Sequence, residues 1–365
     1  MLECYFLSIK GREVMKVLVS ALEHSANIHL RSLKKELSDD VEFIGIFDAS
    51  LGSSIVDLRT LSIMGFVDAI KKLKYFLKLN KQMLELAEEA DKVLLIDSSG
   101  FNLPLAKKIK KRYPHKEIIY YILPQAWAWK KKRIPILANT IDTLASILPF
   151  EKEYYPSNAN IQYVGHPLLD SISNYKEGVA PEVKKIAFMP GSRKGEIKKL
   201  MPIFRSLVKQ LDIEASMIIP KHFGKKDIID LYGDLSDFKI VHDAHQTLYE
   251  SDFAYICSGT ATLEAALIGT PFILSYIAKP VDYFVVSRLV KLTHVGLSNI
   301  MFTQFNSAAL HPEFLQGEVT VNNLLKAYYS YDRKKFFEDS RSLRAYLQHG
   351  SSKSVAKIIE DKYEN

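Results

Sequence analysis

The stretch that most constrains this chain runs from Asp252 to Pro271, DFAYICSGTATLEAALIGTP. Asp252 to Cys257 reads as a short buried strand, Ser258-Gly259-Thr260 as a tight loop, and Ala261 to Ile268 as an apolar, alanine-rich helix stopped by Gly269 and Pro271. Strand, small-residue loop and helix N-terminus together make an anion site. The first helical N–H groups have no intrahelical partner, and the helix dipole adds roughly half a positive charge there. Gly259 lets a phosphate approach the backbone closely, and Ser258, Thr260 and Thr262 add hydroxyl donors. Glu264 lies one turn in, where a carboxylate accepts bonds from vicinal sugar hydroxyls. A plainer reading stays open on this stretch alone: the Ser and Thr cap the helix, and Glu264 suits its dipole.

The rest of the chain repeats the unit. Val17 to Ser20 is a parallel-type strand, apolar on both faces, followed by a helix to about Leu37 and a second strand over Val41 to Phe47. Such a βαβ start places Glu23, His24 and Ser25 over the sheet edge where ligands bind, although a satisfied loop Glu or His fits the pattern too. Val93 to Ile96 is another buried strand, and it delivers Asp97 to the same edge. After a strand over Ile118 to Leu123 come both tryptophans of the protein, Trp127 and Trp129, with the cations Lys130 to Arg133 directly behind. That mixture suits an amphiphile with an anionic head, or single-stranded nucleic acid. Leu144 to Leu148 and Pro149-Phe150-Glu151 close the half, and Val164-Gly165-His166-Pro167 reads as the junction. In the second half, the strand Lys185 to Met189 enters Pro190-Gly191-Ser192-Arg193-Lys194, a second anion cradle with two cations. It lacks the GxxxxGK[ST] and GxGxxG patterns.

With 365 residues, 47% hydrophobic and 25% charged, the chain is long enough for about two cored domains. The net charge of +7 points to anionic partners: phosphorylated substrates, acidic lipid or nucleic acid. Cys4 and Cys257 do not make a disulfide framework, which fits a reducing compartment. No apolar run approaches the ~20 residues of a spanning helix. A core strand starts near Met15, so residues 1–14 are expected to be an extension with no role in the fold. Ile63 to Leu84 reads as a helix with apolar residues at 63, 66, 67, 70, 73, 77 and 84 and lysines on the other faces, which fits a surface helix packed on a core or one lying on an anionic membrane. No Cys/His cluster has metal-ligand spacing and no Asp-x-Asp pair stands ready for a cation on a diphosphate. Two βα-rich halves with phosphate-cradling loops suggest a nucleotide-diphosphate substrate held by backbone, hydroxyl and Arg/Lys donors.

Taken in order, these pieces resemble the lipid-A-disaccharide synthase family of inverting glycosyltransferases. The pieces are Ile63-Met64-Gly65, Ile96-Asp97 with Phe101-Asn102, Trp127-Ala128-Trp129 with its basic run, Leu148-Pro149-Phe150-Glu151, Val164-Gly165-His166, Pro190-Gly191-Ser192-Arg193, Ser258-Gly259-Thr260-Ala261 with Leu263-Glu264, and Lys279-Pro280. The resemblance implies an α/β GT-B fold of two Rossmann-like domains with a cleft between them. It sets an N-terminal acceptor and membrane-facing domain at 15–165, a UDP-sugar domain at 166–332 and a C-terminal helical segment at 333–365. It implies transfer of 2,3-diacylglucosamine from UDP to 2,3-diacylglucosamine 1-phosphate, giving a β-1,6 disaccharide and UDP, with no cofactor, no metal and no nucleic acid partner. Asp97, Glu23, Ser25 and Arg193 would be catalytic, with Asp97 as general base. Gly191, Ser192, Arg193, Ser258, Gly259, Thr260 and Glu264 would bind UDP. Trp127, Trp129, Lys130, Arg133 and Asn299 would meet acceptor and membrane, on the cytoplasmic face of a Gram-negative inner membrane. The first loop departs from the family's Gly-Glu-Ala-Ser-Gly-Asp, reading Leu22-Glu23-His24-Ser25-Ala26-Asn27, and Gly100 leaves Asp97 the lone carboxylate of its own loop. The rival readings are another GT-B UDP-N-acetylglucosamine enzyme, an epimerase or lipid-linked sugar transferase, and a non-catalytic membrane- or polyanion-binding protein.

Overall fold

The computed structural model describes residues 14–56, 69–278 and 293–361; for residues 69–73 and Trp129 it describes the backbone alone. The extension at 1–13, the Ile63-Met64-Gly65 piece and Lys279-Pro280 lie outside the described residues. The chain divides into two compact units: residues 14–170 with 349–361, and residues 171–348.

In the first unit, β1 (Met15–Ser20), β2 (Val41–Ile46), β3 (Ser53–Ser54), β4 (Lys92–Ile96), β5 (Glu117–Tyr121), β6 (Thr143–Ser146) and β7 (Ile161–Tyr163) form one parallel sheet. Its order is β3-β2-β1-β4-β5-β6-β7. Alternate side chains of each strand feed opposite cores. Leu18, Val93 and Leu95 pack with Leu79, Met83 and Ile109 from α2 (Ala69–Leu86) and α3 (Ser99–Arg112). Val17, Val19, Leu94 and Ile96 pack on the other face with Leu30 and Leu33 of α1 (His24–Lys34). Helices on both faces are why these strands read as unbroken apolar runs. The order reverses between β1 and β4, so the loops that follow them leave the sheet in opposite directions and open a crevice at the strand tips. After β5 come α4 (Ala126–Trp129) and α5 (Ile134–Thr140), and α6 (Pro167–Ser171) follows β7.

The second unit repeats the plan. β8 (Lys185–Met189), β9 (Glu214–Ile218), β10 (Lys239–Val241), β11 (Phe253–Ile256), β12 (Phe272–Tyr276) and β13 (Glu313–Leu315) are parallel in the order β10-β9-β8-β11-β12-β13. Its helices are α7 (Lys194–Val208), α8 (Lys225–Tyr232), α9 (Ala244–Glu250), α10 (Thr260–Ile268), α11 (Leu297–Phe302), α12 (Val321–Tyr329) and α13 (Arg333–Leu347). The reversal falls between β8 and β11, the two strands that end in the anion cradles. The stretch read first behaves as its pattern demands. α10 is apolar almost all round because it is buried almost all round. Gly269 takes a left-handed φ of 93° at its end, and the Gly269 and Thr270 N–H groups both return to the Ala265 carbonyl.

The piece 333–365, read as one terminal segment, is divided by the structure. α13 stays with the second unit: Arg333 donates to the Ala180 and Pro181 carbonyls, and Ser340 Oγ to that of Ala266. α14 (Ser351–Glu360) belongs to the first unit, where Val355, Ala356 and Ile359 complete the face that carries α1. The lysine-rich α2 also sits in a different frame from the expected stripe. Leu79 and Met83 are buried, whereas Leu77 is 55% exposed among Lys74, Lys78 and Lys81.

Candidate active site

Asp97 stands at the tip of β4, next to the crevice between β4 and β1. Its φ is 50° and that of Ser98 is 40°, a consecutive pair of non-glycine residues in the left-handed region. Such a conformation costs energy and persists only where the surroundings enforce it. Here the enforcement is visible. Asn102 Nδ2 donates to the Asp97 carbonyl at 2.8 Å and to that of Ile96 at 3.2 Å. Asn102 Oδ1 in turn accepts from Ser20 Oγ of β1 at 2.6 Å, and Tyr120 of β5 donates its hydroxyl to the Asp97 carbonyl. Three neighbouring strands thus aim one half-buried carboxylate. Burial, and then the charge of Glu23, push Asp97 above the usual carboxylate range.

Glu23 comes from the β1–α1 loop and accepts from Ser98 Oγ at 3.2 Å, so the two loops meet. Asp97, alone in its own loop, has a second carboxylate facing it from the neighbouring one. Glu23 and Ser25 are exposed. The loop that departs from the family pattern is held by Asn27. Its amide donates to the carbonyls of Ala21 and Glu23, each at 2.8 Å, and accepts from Asp48 N–H at 2.7 Å.

The tryptophan segment splits. Trp127 is 7% exposed and packs edge-on against Phe150 at 5.1 Å and beside Tyr154 at 5.9 Å. It is therefore core rather than an acyl-chain contact, and that placement of Trp127 is corrected here. The side chain of Trp129 lies outside the described residues. Lys130 is exposed, and Arg133 donates to Ser99 Oγ at 2.6 Å, which sets its guanidinium at the start of α3 beside the Asp97 loop. Glu151, next to Phe150, is 1% exposed; burial pushes it up to about 8, and Ser146 Oγ donates to it at 2.5 Å. Asn299 is also corrected. It is fully buried in the second unit, donating to Glu313 Oε1 at 2.8 Å and the His311 carbonyl at 2.9 Å and accepting from Leu310 and His311 N–H. With both ends of its amide engaged, it locks α11 to the start of β13.

In the second unit the two cradles sit side by side on β8 and β11. Gly259 has a φ of 138°, and a Cβ built there would have no neighbour within 4 Å, so the space above the α10 N-terminus is open. Ser258 is half-buried and Thr260 exposed beside it. Thr262 is not a free donor: it is buried, and its hydroxyl donates to the Gly259 carbonyl at 2.8 Å. Gly191 turns at φ 98°, Ser192 is exposed, and the Arg193 side chain is 79% exposed, with Nη1 3.0 Å from Glu196 Oε1. Lys194 is engaged with Asp227 at 2.7 Å. Glu264, 13% exposed, meets His245 Nε2 at 2.8 Å. Bonding to Glu264 raises the His245 pKa against the effect of burial. Motif reasoning passes over His245, which belongs to α9; the one available signal is an imidazole two residues after the Asp243 helix cap.

These strand tips offer a tuned carboxylate in one unit and an open, donor-rich anion seat in the other. Residues 17–360 match the family model described as lipid-A-disaccharide synthetase. The chain belongs to the lipid-A-disaccharide synthase family. It is 49% identical over 353 residues to the lipid-A-disaccharide synthase of Helicobacter pylori strain ATCC 700392 / 26695, covering 93% of this chain and 96% of that one. Against the synthase of Campylobacter jejuni strain RM1221 it is 44% identical over 364 residues, covering 94% and 99%. Among solved structures, Acinetobacter baumannii MurG superposes with a TM-score of 0.59 at 13% identity, covering 95% of this chain and 99% of that one. S. aureus MnaA in its UDP co-structure gives 0.56 at 14%, covering 94% and 95%. At that identity the likeness is one of fold, the two-domain α/β architecture of GT-B glycosyltransferases. The chain is a glycosyltransferase of lipid A disaccharide synthesis.

Proposed function

We propose that this synthase transfers 2,3-diacylglucosamine from UDP to the 6-hydroxyl of 2,3-diacylglucosamine 1-phosphate, with inversion and without a metal ion. Asp97 takes the hydroxyl proton as the oxygen attacks the anomeric carbon. The carbon–oxygen bond to the diphosphate breaks and its electron pair leaves on UDP. Arg193 and the N–H groups opening α10 and α7 take up the charge that develops there, an electrostatic task for which preorganised donors contribute several kcal/mol. Glu264 accepts from the ribose hydroxyls, with Gly191, Ser192, Ser258, Gly259 and Thr260 against the phosphates. Glu23 holds Asp97 basic, Ser25 and Arg133 face the acceptor, and Lys130 with Lys74, Lys78 and Lys81 attracts an anionic lipid surface, into which Leu77 dips. Among the described residues no helix is long and apolar enough to cross a membrane; the association we propose is peripheral.

The observation that carries the reading is the adjacency of the two cradles: an exposed Arg193 side chain in the loop after β8 and an open glycine-led helix N-terminus after the neighbouring β11. The test is UDP release from UDP-2,3-diacylglucosamine, with and without the acceptor, in detergent and EDTA. Acceptor-dependent release that persists in EDTA is expected, with a disaccharide phosphate as product. Loss of turnover in EDTA would overturn metal independence, and turnover of plain UDP-N-acetylglucosamine in its place would overturn the lipid substrate.

A further inference from the structure

Arg193 is a long, exposed side chain asked to meet a charge at one point in space. Left free it would sample many rotamers, and a guanidinium that must be ordered during the reaction contributes less than one already aimed. One group in the structure aims it. Glu196 Oε1 lies 3.0 Å from Arg193 Nη1, and the Glu196 side chain is only 12% exposed. Its second oxygen points inward. Oε2 lies 2.7 Å from the point where a Cβ on Gly191 would stand, and that point is 3.2 Å from Cys257 Sγ. Cys257 directly follows β11, just before Ser258-Gly259-Thr260, and is buried. Burial first, and then the Glu196 charge, push its thiol up to about 12, so it stands beside Glu196 as a neutral group. Gly191 already needs its left-handed φ of 98°, and a methyl there would also meet Glu196 Oε2.

We infer that Glu196 is the positioning residue for Arg193, and that by resting on Gly191 and Cys257 it holds the β8 and β11 loops in one register. This rests on the reading that Arg193 takes up leaving-group charge. A bland alternative exists, that Glu196 in the first turn of α7 merely suits the helix dipole. The two differ in what they demand of the side chain. Dipole matching needs a negative charge; positioning needs reach in two directions.

The test uses the full chain with both lipid substrates. Glu196→Gln loses the charge and keeps the reach; Glu196→Asp keeps the charge and loses a methylene of reach. A misplacement of about 1 Å in a charge-stabilising group costs on the order of 10²-fold. Glu196→Asp is therefore expected to lower kcat roughly 10- to 100-fold while the donor KM moves little. In an Arg193→Ala background the same substitution is expected to change kcat no further. Wild-type kcat in Glu196→Asp, with loss only in Glu196→Gln, would leave the dipole role and overturn the proposal. An equal loss in both backgrounds would overturn it as well, because the effect would not pass through Arg193. Should Arg193→Ala alone keep full kcat, the reading of Arg193 fails, and that single variant separates its failure from the failure of Glu196. Unchanged thermal midpoints confirm that each variant folds.

Discussion

The two crevices are topologically alike and chemically unlike. Each opens where a parallel sheet reverses its strand order, between β1 and β4 in one unit and between β8 and β11 in the other. The first is furnished with two carboxylates, Asp97 and Glu23, the former on a backbone forced into positive φ and raised in pKa. The second is furnished with glycines, helix N–H groups and a guanidinium, none of which changes charge near neutrality. The difference follows from the task. A base must gain and lose a proton, so its site tunes a pKa by burial and a like charge. A seat for a departing diphosphate must present constant positive potential, so fixed dipoles suit it better.

The sharpest way to break this comparison is to remove the titrating group itself. Asp97→Asn keeps shape and hydrogen bonding but cannot accept the proton. We expect kcat to fall by about 10²- to 10⁴-fold with UDP affinity, read by calorimetry, within a factor of two or so of wild type. A retained kcat would leave the first crevice without a base. Next in size, Glu264→Ala removes an acceptor from the second crevice. Loss of a hydrogen bond to a charged group, roughly 1.5–3 kcal/mol, predicts about 10- to 100-fold weaker UDP binding in the same titration. Unchanged affinity would sink the ribose role.

What could be read in advance followed from how local the physics is. The strand, loop and helix of 252–271 specify themselves: the strand is apolar, the glycine takes the turn no other residue takes, and the helix stops at Gly269 and Pro271. Both cradles and Asp97 were legible for that reason, since each lies within a few residues of its own strand tip. The misreadings are long-range. Asn299 looks like a polar loop residue until β13 supplies the backbone and carboxylate that consume its amide. Trp127 looks like a surface aromatic until Phe150 and Tyr154 close on it. α13 and α14 carry similar amphipathic patterns, and only their tertiary partners, Ala266 for one and the α1 face for the other, send them to different units. His245 has no motif at all, and a neighbour 19 positions away, Glu264, is what raises its pKa.

Glu23→Gln sharpens the comparison without abolishing activity. Burial is the larger cause of the raised Asp97 pKa and the Glu23 charge the second. Asp97 must be ionised to act, so its pKa sets the acid limb of kcat against pH. Removing the neighbouring charge is expected to move that limb to lower pH, while burial keeps it above the ordinary carboxylate value. A limb that stays in place would mean that Glu23 does not tune the base.

The smallest expected effect tests the claim that the second crevice does not titrate, because His245 sits at its edge. Its pKa is raised above 6.5, first by bonding to Glu264. The pair's contribution to stability is therefore complete below the unfolded value of about 6.5 and is lost as pH rises through the raised folded value. The imidazole is 40% exposed, so solvent screening leaves about 0.2–1 kcal/mol at most. Urea unfolding should show that wild type loses this amount on going from acid to mildly alkaline pH, and that His245→Gln does not. UDP affinity should follow the same pH course in both proteins, because the phosphate of UDP titrates identically in each and cancels from the ratio. If instead wild type binds UDP several-fold more tightly on one side of the transition and His245→Gln shows no such change, protonation of His245 gates Glu264. The seat would then be a titrating site like its counterpart, and constant potential would no longer distinguish the two crevices.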